Sequence, residues 1–281
     1  MTRGIDYAWA DPKPAPSCLL QSGVKFVMRY FSHDPAKDLA QAELDALLAA
    51  GISVGIVWET TAGRMLAGYG AGQADASEAD LRATRLGMAG IPLYFACDFD
   101  AAPADQAAIS AYLDGVAGVI GRPRTGMYSG YWPMSRAFDA GDITWGWQTY
   151  AWSGGNWDQR AQLRQVQNNV TVCGVSADWD ESQTADFGQF PRPGTAPQPP
   201  PPGVTWTEEI MQQLPTLAQG ATGTHVRTVQ FQLGEKGRPV TIDGIYGPNT
   251  ASAVAAVQSS RHLTADGITG PQTWPVLLGV L

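Results

Sequence analysis

The 281-residue chain predicts an α/β fold, an abbreviated parallel (β/α)8 TIM-like barrel, followed by a small all-α domain of three helices. Eight short apolar runs alternate with alanine- and leucine-rich stretches of helical spacing, which is the pattern of a parallel barrel. A proline-rich stretch then predicts an extended spacer between two domains. We therefore expect a barrel over residues 1–190, a linker over 191–205 and a small domain over 206–281.

The predicted strands lie in chain order with helices between the earlier ones. They occupy residues 3–8, 25–30, 52–59, 91–98, 124–129, 143–150, 162–167 and 174–179. The predicted helices occupy residues 39–50, 73–89, 105–120 and 131–140. The connections after Tyr150 and after Gln167 are too short for full helices, so the barrel should be abbreviated at its C-terminal end.

The acidic triplet 98–100 closes the fourth predicted strand. Strand side chains alternate between faces, so Asp98 and Asp100 should point the same way. Burying an unpaired carboxylate costs roughly several kcal/mol, and a packing role alone would not offset that cost. Carboxylate pairs carry out acid–base chemistry on sugar bonds, although a pair that caps loops or binds arginine is the structural alternative.

Polar and aromatic residues recur at the predicted strand ends. Catalytic groups in parallel barrels lie at these C-terminal ends, so the clustering predicts a functional cleft. The candidate residues are Asp6, Tyr30, Trp58, Glu59, Asp98, Asp100, Tyr128, Trp147, Gln148, Asp178 and Trp179.

Composition narrows the possible partners. The net charge of −8 argues against nucleic acid and anionic membranes, which both bind basic surfaces. Ten tryptophans and nine tyrosines suit a carbohydrate site, although most aromatic residues fill cores. No apolar run has membrane-spanning length, and the N-terminus lacks a signal-like apolar region. We therefore expect synthesis in a cytoplasm and release by another agent.

The three cysteines, Cys18, Cys97 and Cys173, are far apart and lack metal-site spacing. They predict a buried thiol at Cys97 and no disulfide framework. With three histidines and no HExxH motif, a zinc- or cysteine-dependent amidase or peptidase is disfavoured. No metal or cofactor is expected.

The small domain contains a repeat. Asp-Gly-Ile-Tyr-Gly-Pro-Asn-Thr at 243–250 recurs as Asp-Gly-Ile-Thr-Gly-Pro-Gln-Thr at 266–273, and each copy predicts a glycine turn followed by a helix opened by proline. Helices are expected at 225–233, 250–259 and 272–278. The segment 214–278 resembles the peptidoglycan-binding domain 1 family, with Val257 before Gln258 where that family usually has phenylalanine. The resemblance implies a non-catalytic module that docks on peptidoglycan.

The large domain resembles the glycoside-hydrolase-like domain of unknown function 1906, which is similar to family 25 lysozymes. The resemblance is carried by segments 4–7, 26–30, 55–59, 94–100, 126–130 and 147–150. Family 25 lysozymes carry Asp-x-Glu at the end of strand four, with the glutamate as expected proton donor and aspartates on strands one and eight.

The resemblance assigns roles to the acidic residues. Asp98 matches the first aspartate, Asp6 the strand-one aspartate and Asp178 the strand-eight partner. Asp100 replaces the glutamate and its side chain is one methylene shorter. Glu59, whose side chain is longer, could therefore deliver the proton instead. The proton donor stays open between Asp100 and Glu59, as does a retaining or an inverting outcome. Sugar subsites would be lined by Tyr30, Trp58, Tyr128, Trp147, Gln148 and Trp179.

These features predict a peptidoglycan hydrolase. We expect a monomeric, lysozyme-like muramidase with a C-terminal wall anchor, similar to an antibacterial phage endolysin that stays in the host cytoplasm until release. The alternative is a non-catalytic wall-binding protein with a degenerate barrel.

Overall fold

A computed structural model describes residues 1–193, 214–261 and 263–279. The chain divides into two compact units, Met1–Gln198 and Pro199–Leu281. From residue 194 onward, the linker expected at 191–205 lies outside the described residues, as does His262. The domain boundaries expected from the sequence stay predictions. Within the described ranges, no helix has the length and hydropathy needed to cross a bilayer.

The first unit is a closed barrel of eight strands in chain order, which confirms the predicted fold class. The strands are β1 Arg3–Asp6, β2 Phe26–Phe31, β3 Ser53–Trp58, β4 Leu93–Ala96, β5 Thr125–Ser129, β6 Trp145–Thr149, β7 Leu163–Val172 and β8 Val175–Ser182. The helices are α1 Pro16–Gln21, α2 Gln41–Ala49, α3 Gly68–Arg85, α4 Gln106–Ile120 and α5 Tyr131–Ala140. Residues 150–162 join β6 to β7 through turns instead of a helix, so the barrel is abbreviated where the sequence predicts.

The last strand runs opposite to the others. β8 is antiparallel to both β7 and β1, because the turn at Cys173 and Gly174 is too short for the crossover that parallel strands need. Its register places Asp178 opposite Asp6 and Asp180 opposite Gly4. Asp178 lies in the first half of β8, opposite Asp6 at the end of β1, so it is at the C-terminal end of the barrel although β8 runs in the opposite direction.

Alternation along the strands produces two separate cores. Side chains such as Phe26, Tyr94 and Trp147 fill the barrel interior, whereas Ile5 and Trp58 pack in the layer between strands and helices. The interior is so full that a Cβ on Gly4 would lie 2.4 Å from the Phe26 ring. The barrel is a packed core, and its polar groups gather at the C-terminal end.

A disulfide joins Cys18 of α1 to Cys173 at the tip of the β7–β8 hairpin, with a Cα–Cα distance of 5.9 Å. The prediction of no disulfide framework was wrong. The two cysteines are 155 residues apart and meet only because barrel closure returns β8 to the side of β1. Cys97 is the buried free thiol that the sequence predicts.

Removing this disulfide should destabilise the barrel. In the chain-entropy treatment, a cross-link across so long a loop contributes about 5 kcal/mol to the free energy of unfolding. We expect Cys18→Ser to lower the free energy of unfolding of the full chain by a similar amount, seen as a lower denaturation midpoint. A reductant should have the same effect on the parent protein. Cys97→Ser leaves the disulfide intact, so this variant should respond to reductant as the parent protein does. Equal midpoints with and without reductant in the parent protein would contradict this account.

The described part of the second unit, residues 214–261 and 263–279, contains α6 Thr224–Glu235, α7 Pro248–Ser260 and α8 Thr273–Leu278, where the sequence predicts helices. A buried glutamine organises each copy of the repeat. The Gln230 amide donates to Asp243 Oδ1 at 2.7 Å and to the Ile245 carbonyl at 3.0 Å, and its Oε1 accepts the Gly244 N–H. Gln258 makes the equivalent contacts in the second copy, with Asp266, Ile268 and Gly267.

The repeat should depend on these amides. Gln230→Leu keeps approximate side-chain size but leaves the Gly244 N–H and the Ile245 carbonyl without their partner, which should cost roughly 1–3 kcal/mol or more. Hydrogen exchange at the Gly244 amide in the full chain would show the loss as faster exchange. The matched control is Gln232→Leu on the same helix, where the side chain is only partly buried and exchange at Gly244 should stay slow. Similar exchange in both variants would argue against the role of Gln230.

Candidate active site

A buried carboxyl group lies at the C-terminal end of β1. Asp6 is 3% exposed and faces the barrel interior. Its Oδ1 accepts a hydrogen bond from the Tyr30 hydroxyl at 2.6 Å, and its Oδ2 accepts one from Gln165 Nε2 at 2.8 Å. Residues on β1, β2 and β7 therefore meet at one carboxyl group.

The Gln165 amide links this carboxyl to the next one. Gln165 Nε2 also donates to Asp178 Oδ2 at 3.1 Å, while its Oε1 accepts from the Tyr128 hydroxyl at 2.8 Å. The second oxygen of Asp178 accepts the Asn169 backbone N–H at 2.8 Å. Burial raises the pKa of Asp178, and the hydrogen bond from the Asn169 N–H opposes this effect.

A third aspartate, Asp180, lies two residues after Asp178 on β8. Asp180 is fully buried, and its Oδ1 accepts from Trp147 Nε1 at 2.8 Å. Among the described residues its Oδ2 has no hydrogen-bond partner. Burial, then the charge of Asp6, raises the pKa of Asp180 well above its ordinary value. In its protonated form Asp180 can donate to Asp6, which satisfies the second oxygen.

The pKa of Asp6 is raised from 3.8 to about 7, first by burial and then by the charge of Asp178. Hydrogen bonds from Tyr30, Gln165 and Asp180 act in the opposite direction. Since desolvation outweighs these bonds, Asp6 exchanges its proton near neutral pH. A carboxyl group with this property is suited to proton transfer.

The mouth of the barrel carries a second charged group of residues. Lys37 Nζ donates to Glu59 Oε1 at 2.6 Å, and Asp98 is half-buried nearby. Burial raises the pKa of Asp98, the charge of Glu59 adds to this, and the charge of Lys37 opposes it. The charge of Asp178 also raises the pKa of Asp98.

The structure gathers seven of the residues predicted from strand ends at the interior or mouth of the barrel. They are Asp6, Tyr30, Glu59, Asp98, Tyr128, Trp147 and Asp178.

Three other predicted residues lie on the outer side of the strands. Trp58 is buried against the helices and contacts His33 edge-on. Gln148 is buried and holds the loop after β6 through the Asn156 carbonyl and the Asp158 N–H. Trp179 packs against the outer core, under the guanidinium group of Arg3 at 3.6 Å.

Asp100 lies beyond the end of β4. β4 ends at Ala96, so the strand alternation expected to align Asp98 with Asp100 does not extend that far. Asp98 is half-buried whereas Asp100 is exposed.

Sequence reasoning missed Gln165, Asp180 and Lys37 as members of this site. Asp180 follows Asp178 by two residues, so strand alternation could have placed it on the same face. Gln165 and Lys37 carried no such signal, because one lies within a polar run and the other in a loop.

Exposed aromatic side chains surround the same end of the barrel and were also missed. They follow β1, β5 and β6, and the list is Trp9, Trp132, Tyr150 and Trp152, between 40% and 60% exposed. Among the described residues, no group of three or more histidine, cysteine, aspartate or glutamate side chains could hold a metal ion.

Residues 17–184, more than half of the chain, match the family model described as Rv2525c-like, glycoside hydrolase-like domain. The chain belongs to this family. Residues 222–277 match a peptidoglycan-binding domain, so the Rv2525c-like barrel is followed by a module of the predicted kind. No curated protein matches the chain significantly.

Two solved structures share the fold of the barrel, and a third matches only a short part of the chain. The Mycobacterium tuberculosis Tat-secreted protein Rv2525c, in complex with L-tartrate, is 25% identical, with a TM-score of 0.61 over 67% of this chain and 98% of that one. A B. stearothermophilus protein is 18% identical, with a TM-score of 0.50 over 65% and 96% of the two chains. A Burkholderia AP3 phage endolysin is 43% identical over 24% of this chain and 26% of its own, with a TM-score of 0.24.

The Rv2525c-like barrel and the peptidoglycan-binding module together support a cell-wall-related hydrolase at the level of the family.

The raised pKa of Asp6 predicts a pH-dependent stability. The folded Rv2525c-like barrel binds the Asp6 proton more tightly than the unfolded chain, so this contribution is complete below pH 3.8 and is lost as the pH rises to about 7. The loss should be on the order of a few kcal/mol. Urea denaturation between pH 4 and 8 should show a fall in stability that Asp6→Asn reduces.

The matched control for this titration is Asp45→Asn on the exposed side of α2, which should keep the parent pH dependence. The interpretation fails if Asp6→Asn loses stability with pH as steeply as the parent protein.

Proposed function

We propose that the barrel hydrolyses glycosidic bonds in peptidoglycan glycan strands, as a lysozyme does, and that the small domain holds it at the wall. The observation that supports this proposal best is the buried, hydrogen-bonded carboxyl cluster around Asp6, whose pKa is about 7. Glycoside hydrolysis needs one protonated carboxyl group and one ionised carboxylate on either side of the bond.

We assign proton delivery to Asp98. It is half-buried at the mouth, and burial raises its pKa, so it combines access with proton affinity. Of the two donors expected from the sequence, Glu59 is paired with the Lys37 ammonium at 2.6 Å, and Asp100 is exposed. Asp98 is the carboxyl group that best meets both requirements.

Asp178 would act as the ionised partner. The Asn169 N–H and the Gln165 amide both donate to it, and donors of this kind favour a carboxylate. A carboxylate at the mouth can stabilise positive charge at the sugar carbon, orient the N-acetyl group or position water. Asp6 lies behind it and would exchange protons with the cluster.

The exposed aromatic rings after β1, β5 and β6 suit a sugar polymer. Flat aromatic faces pack against pyranose rings while their edges stay in water. We propose that Trp9, Trp132, Tyr150 and Trp152 contact the glycan outside the buried cluster. A tethered wall-binding module would raise the effective concentration of the barrel at this insoluble substrate.

We propose that the protein acts outside the reducing cytoplasm. Its Cys18–Cys173 disulfide is of a kind that forms in oxidising environments, and the mycobacterial relative is described as Tat-secreted. The cytoplasmic phase before release, the phage origin and the antibacterial role stay predictions from the sequence.

A non-catalytic wall-binding role is the second candidate. It is favoured by the depth of the cluster, because Asp6 is 3% exposed and Asp180 is fully buried. The Tyr30 hydroxyl donates to Asp6 and the Tyr128 hydroxyl donates to Gln165, so both are already engaged within the cluster. A barrel of this kind could bind glycan at its rim without turnover.

Clearing of purified cell walls separates the two candidates. We expect the parent protein to clear walls and Asp98→Asn to slow clearing about 100-fold or more, since general acid catalysis contributes that much. Sedimentation with walls should be unchanged, because the small domain is intact. Mass spectrometry should find new reducing ends on the glycan.

Two controls make the assignment specific. Asp45→Asn should clear walls at the parent rate. Asp100→Asn should retain most activity; loss of clearing in this variant, with Asp98→Asn active, would return proton delivery to Asp100. Walls that stay intact while the parent protein sediments with them would favour the binding role.

A further inference from the structure

A groove lies where β1 and β8 separate at the C-terminal end of the barrel. The two strands pair as far as Asp6 and Asp178. Beyond that pair, residues 9–15 after β1 and residues 173–176 at the start of β8 line one cavity of about 470 Å³, a size typical of small-ligand sites. We call this cavity the β1–β8 groove. Its two walls are continuous along the chain with two members of the carboxyl cluster.

The walls of the β1–β8 groove are held in place. Cys173 in one wall is bonded to Cys18, which follows the other wall, with a Cα–Cα distance of 5.9 Å. Trp9 is fixed as well, because its Nε1 donates to Asp34 Oδ2 at 3.0 Å and Lys37 Nζ lies 4.3 Å from its ring centre. The Trp9 ring is nevertheless 60% exposed. A site whose walls are already ordered loses less entropy when it binds a ligand.

Lys13 is a cation of the groove whose neighbouring carboxylate is already engaged. Glu43 accepts from Arg29 Nε at 2.7 Å, from Arg29 Nη2 at 3.2 Å and from the Tyr7 hydroxyl at 2.6 Å. Lys13 Nζ is 3.9 Å from Glu43 Oε2, beyond hydrogen-bond distance. Burial, and then the charge of Arg29, lowers the pKa of Lys13. A partly desolvated ammonium group beside a second cation gains from an incoming anion.

The other lining residues narrow the chemistry of the ligand. Pro14 and Val175 are buried and apolar, and Asp11 is an exposed acid beside Lys13. A neutral sugar would use neither charge. A short peptide with small apolar side chains, a free carboxylate and an amino group complements all three features. Peptidoglycan carries peptides of this kind as branches on its glycan strand.

We propose that the β1–β8 groove binds the peptide that branches from the glycan. Lys13 receives a carboxylate of the peptide and Asp11 receives its amino group, while Trp9 contacts the sugar from which the peptide departs. The choice of ligand rests on the proposed action on peptidoglycan. The barrel would then select glycan that carries peptides over bare glycan.

Muramyl dipeptide, a single sugar with a short acidic peptide, is a soluble probe of the groove. In the full-length protein we expect saturable NMR shifts of the Trp9 indole N–H and of the Lys13 side-chain signals. A neutral oligomer of N-acetylglucosamine should leave the Lys13 signals unchanged. The indole of Trp274, buried in the small domain, reports separately on binding there. No shift at Trp9 and Lys13 with muramyl dipeptide, or an equal Lys13 shift with the neutral oligomer, would overturn the proposal.

Charge variants test what recognises the carboxylate. Lys13→Met should weaken the binding of muramyl dipeptide roughly fivefold or more, and Lys13→Arg, which keeps the charge, should retain most of the affinity. The matched control is Lys25→Met, which removes an equal charge from an exposed position just before β2, at the opposite end of the barrel. It should bind as the parent protein does. Unchanged affinity in Lys13→Met, or an equal loss in Lys25→Met, would contradict the role of Lys13.

Asp11→Asn tests the recognition of the amino group. This variant should bind a muramyl tripeptide that ends in lysine more weakly than the parent protein does. It should bind muramyl dipeptide, which has no free amino group, with the parent affinity. Parent affinity for both probes would refute the assignment of the amino group to Asp11.

The release of new reducing ends gives the catalytic readout. Lys13→Met should slow release from intact peptidoglycan and leave unchanged the release from glycan whose peptides have been removed. Equal slowing on both substrates would argue against peptide recognition in the groove. If the parent protein releases no reducing ends from either, the glycosidase function fails. The NMR shifts with muramyl dipeptide would still decide whether the groove binds the peptide.

Discussion

The antiparallel register between β8 and β1 is the constraint on which the candidate site depends. It places Asp178 opposite Asp6 and Asp180 opposite Gly4, so three carboxyl groups share one end of a packed barrel. Because the interior around them is apolar and aromatic, ionising all three at once is unfavourable. Burial thus raises the pKa of all three aspartates, and a neighbouring carboxyl charge adds to the rise at Asp6 and at Asp180.

The same register links chemistry to stability. A buried cluster of carboxyl groups destabilises the fold, and hydrogen bonds from Tyr30 and Gln165 offset part of that cost. The β7–β8 hairpin carries Gln165 and Asp178, and its tip is fixed to α1 by the disulfide at Cys173. The hairpin that carries these two residues is therefore held at its tip by a covalent bond.

Alternation explains which predicted residues share the site. Trp58 and Glu59, like Asp178 and Trp179, are neighbours in sequence, and only one of each pair can face the barrel interior. In both pairs the acidic residue faces inward and the tryptophan packs outward. The sequence locates the strand ends correctly, but it does not show which residue of each neighbouring pair faces the barrel interior.

Local patterns in the chain were sufficient for the barrel class, its abbreviated end, the three-helix module and the acidic strand ends, since periodicity and turn residues are short-range properties. The contacts that give these residues their chemistry are long-range. Gln165 and Asp6 are 159 residues apart, and the two bonded cysteines are 155 apart. Such pairs form only when the last strand closes on the first, because closure, and not local propensity, brings them within bonding distance.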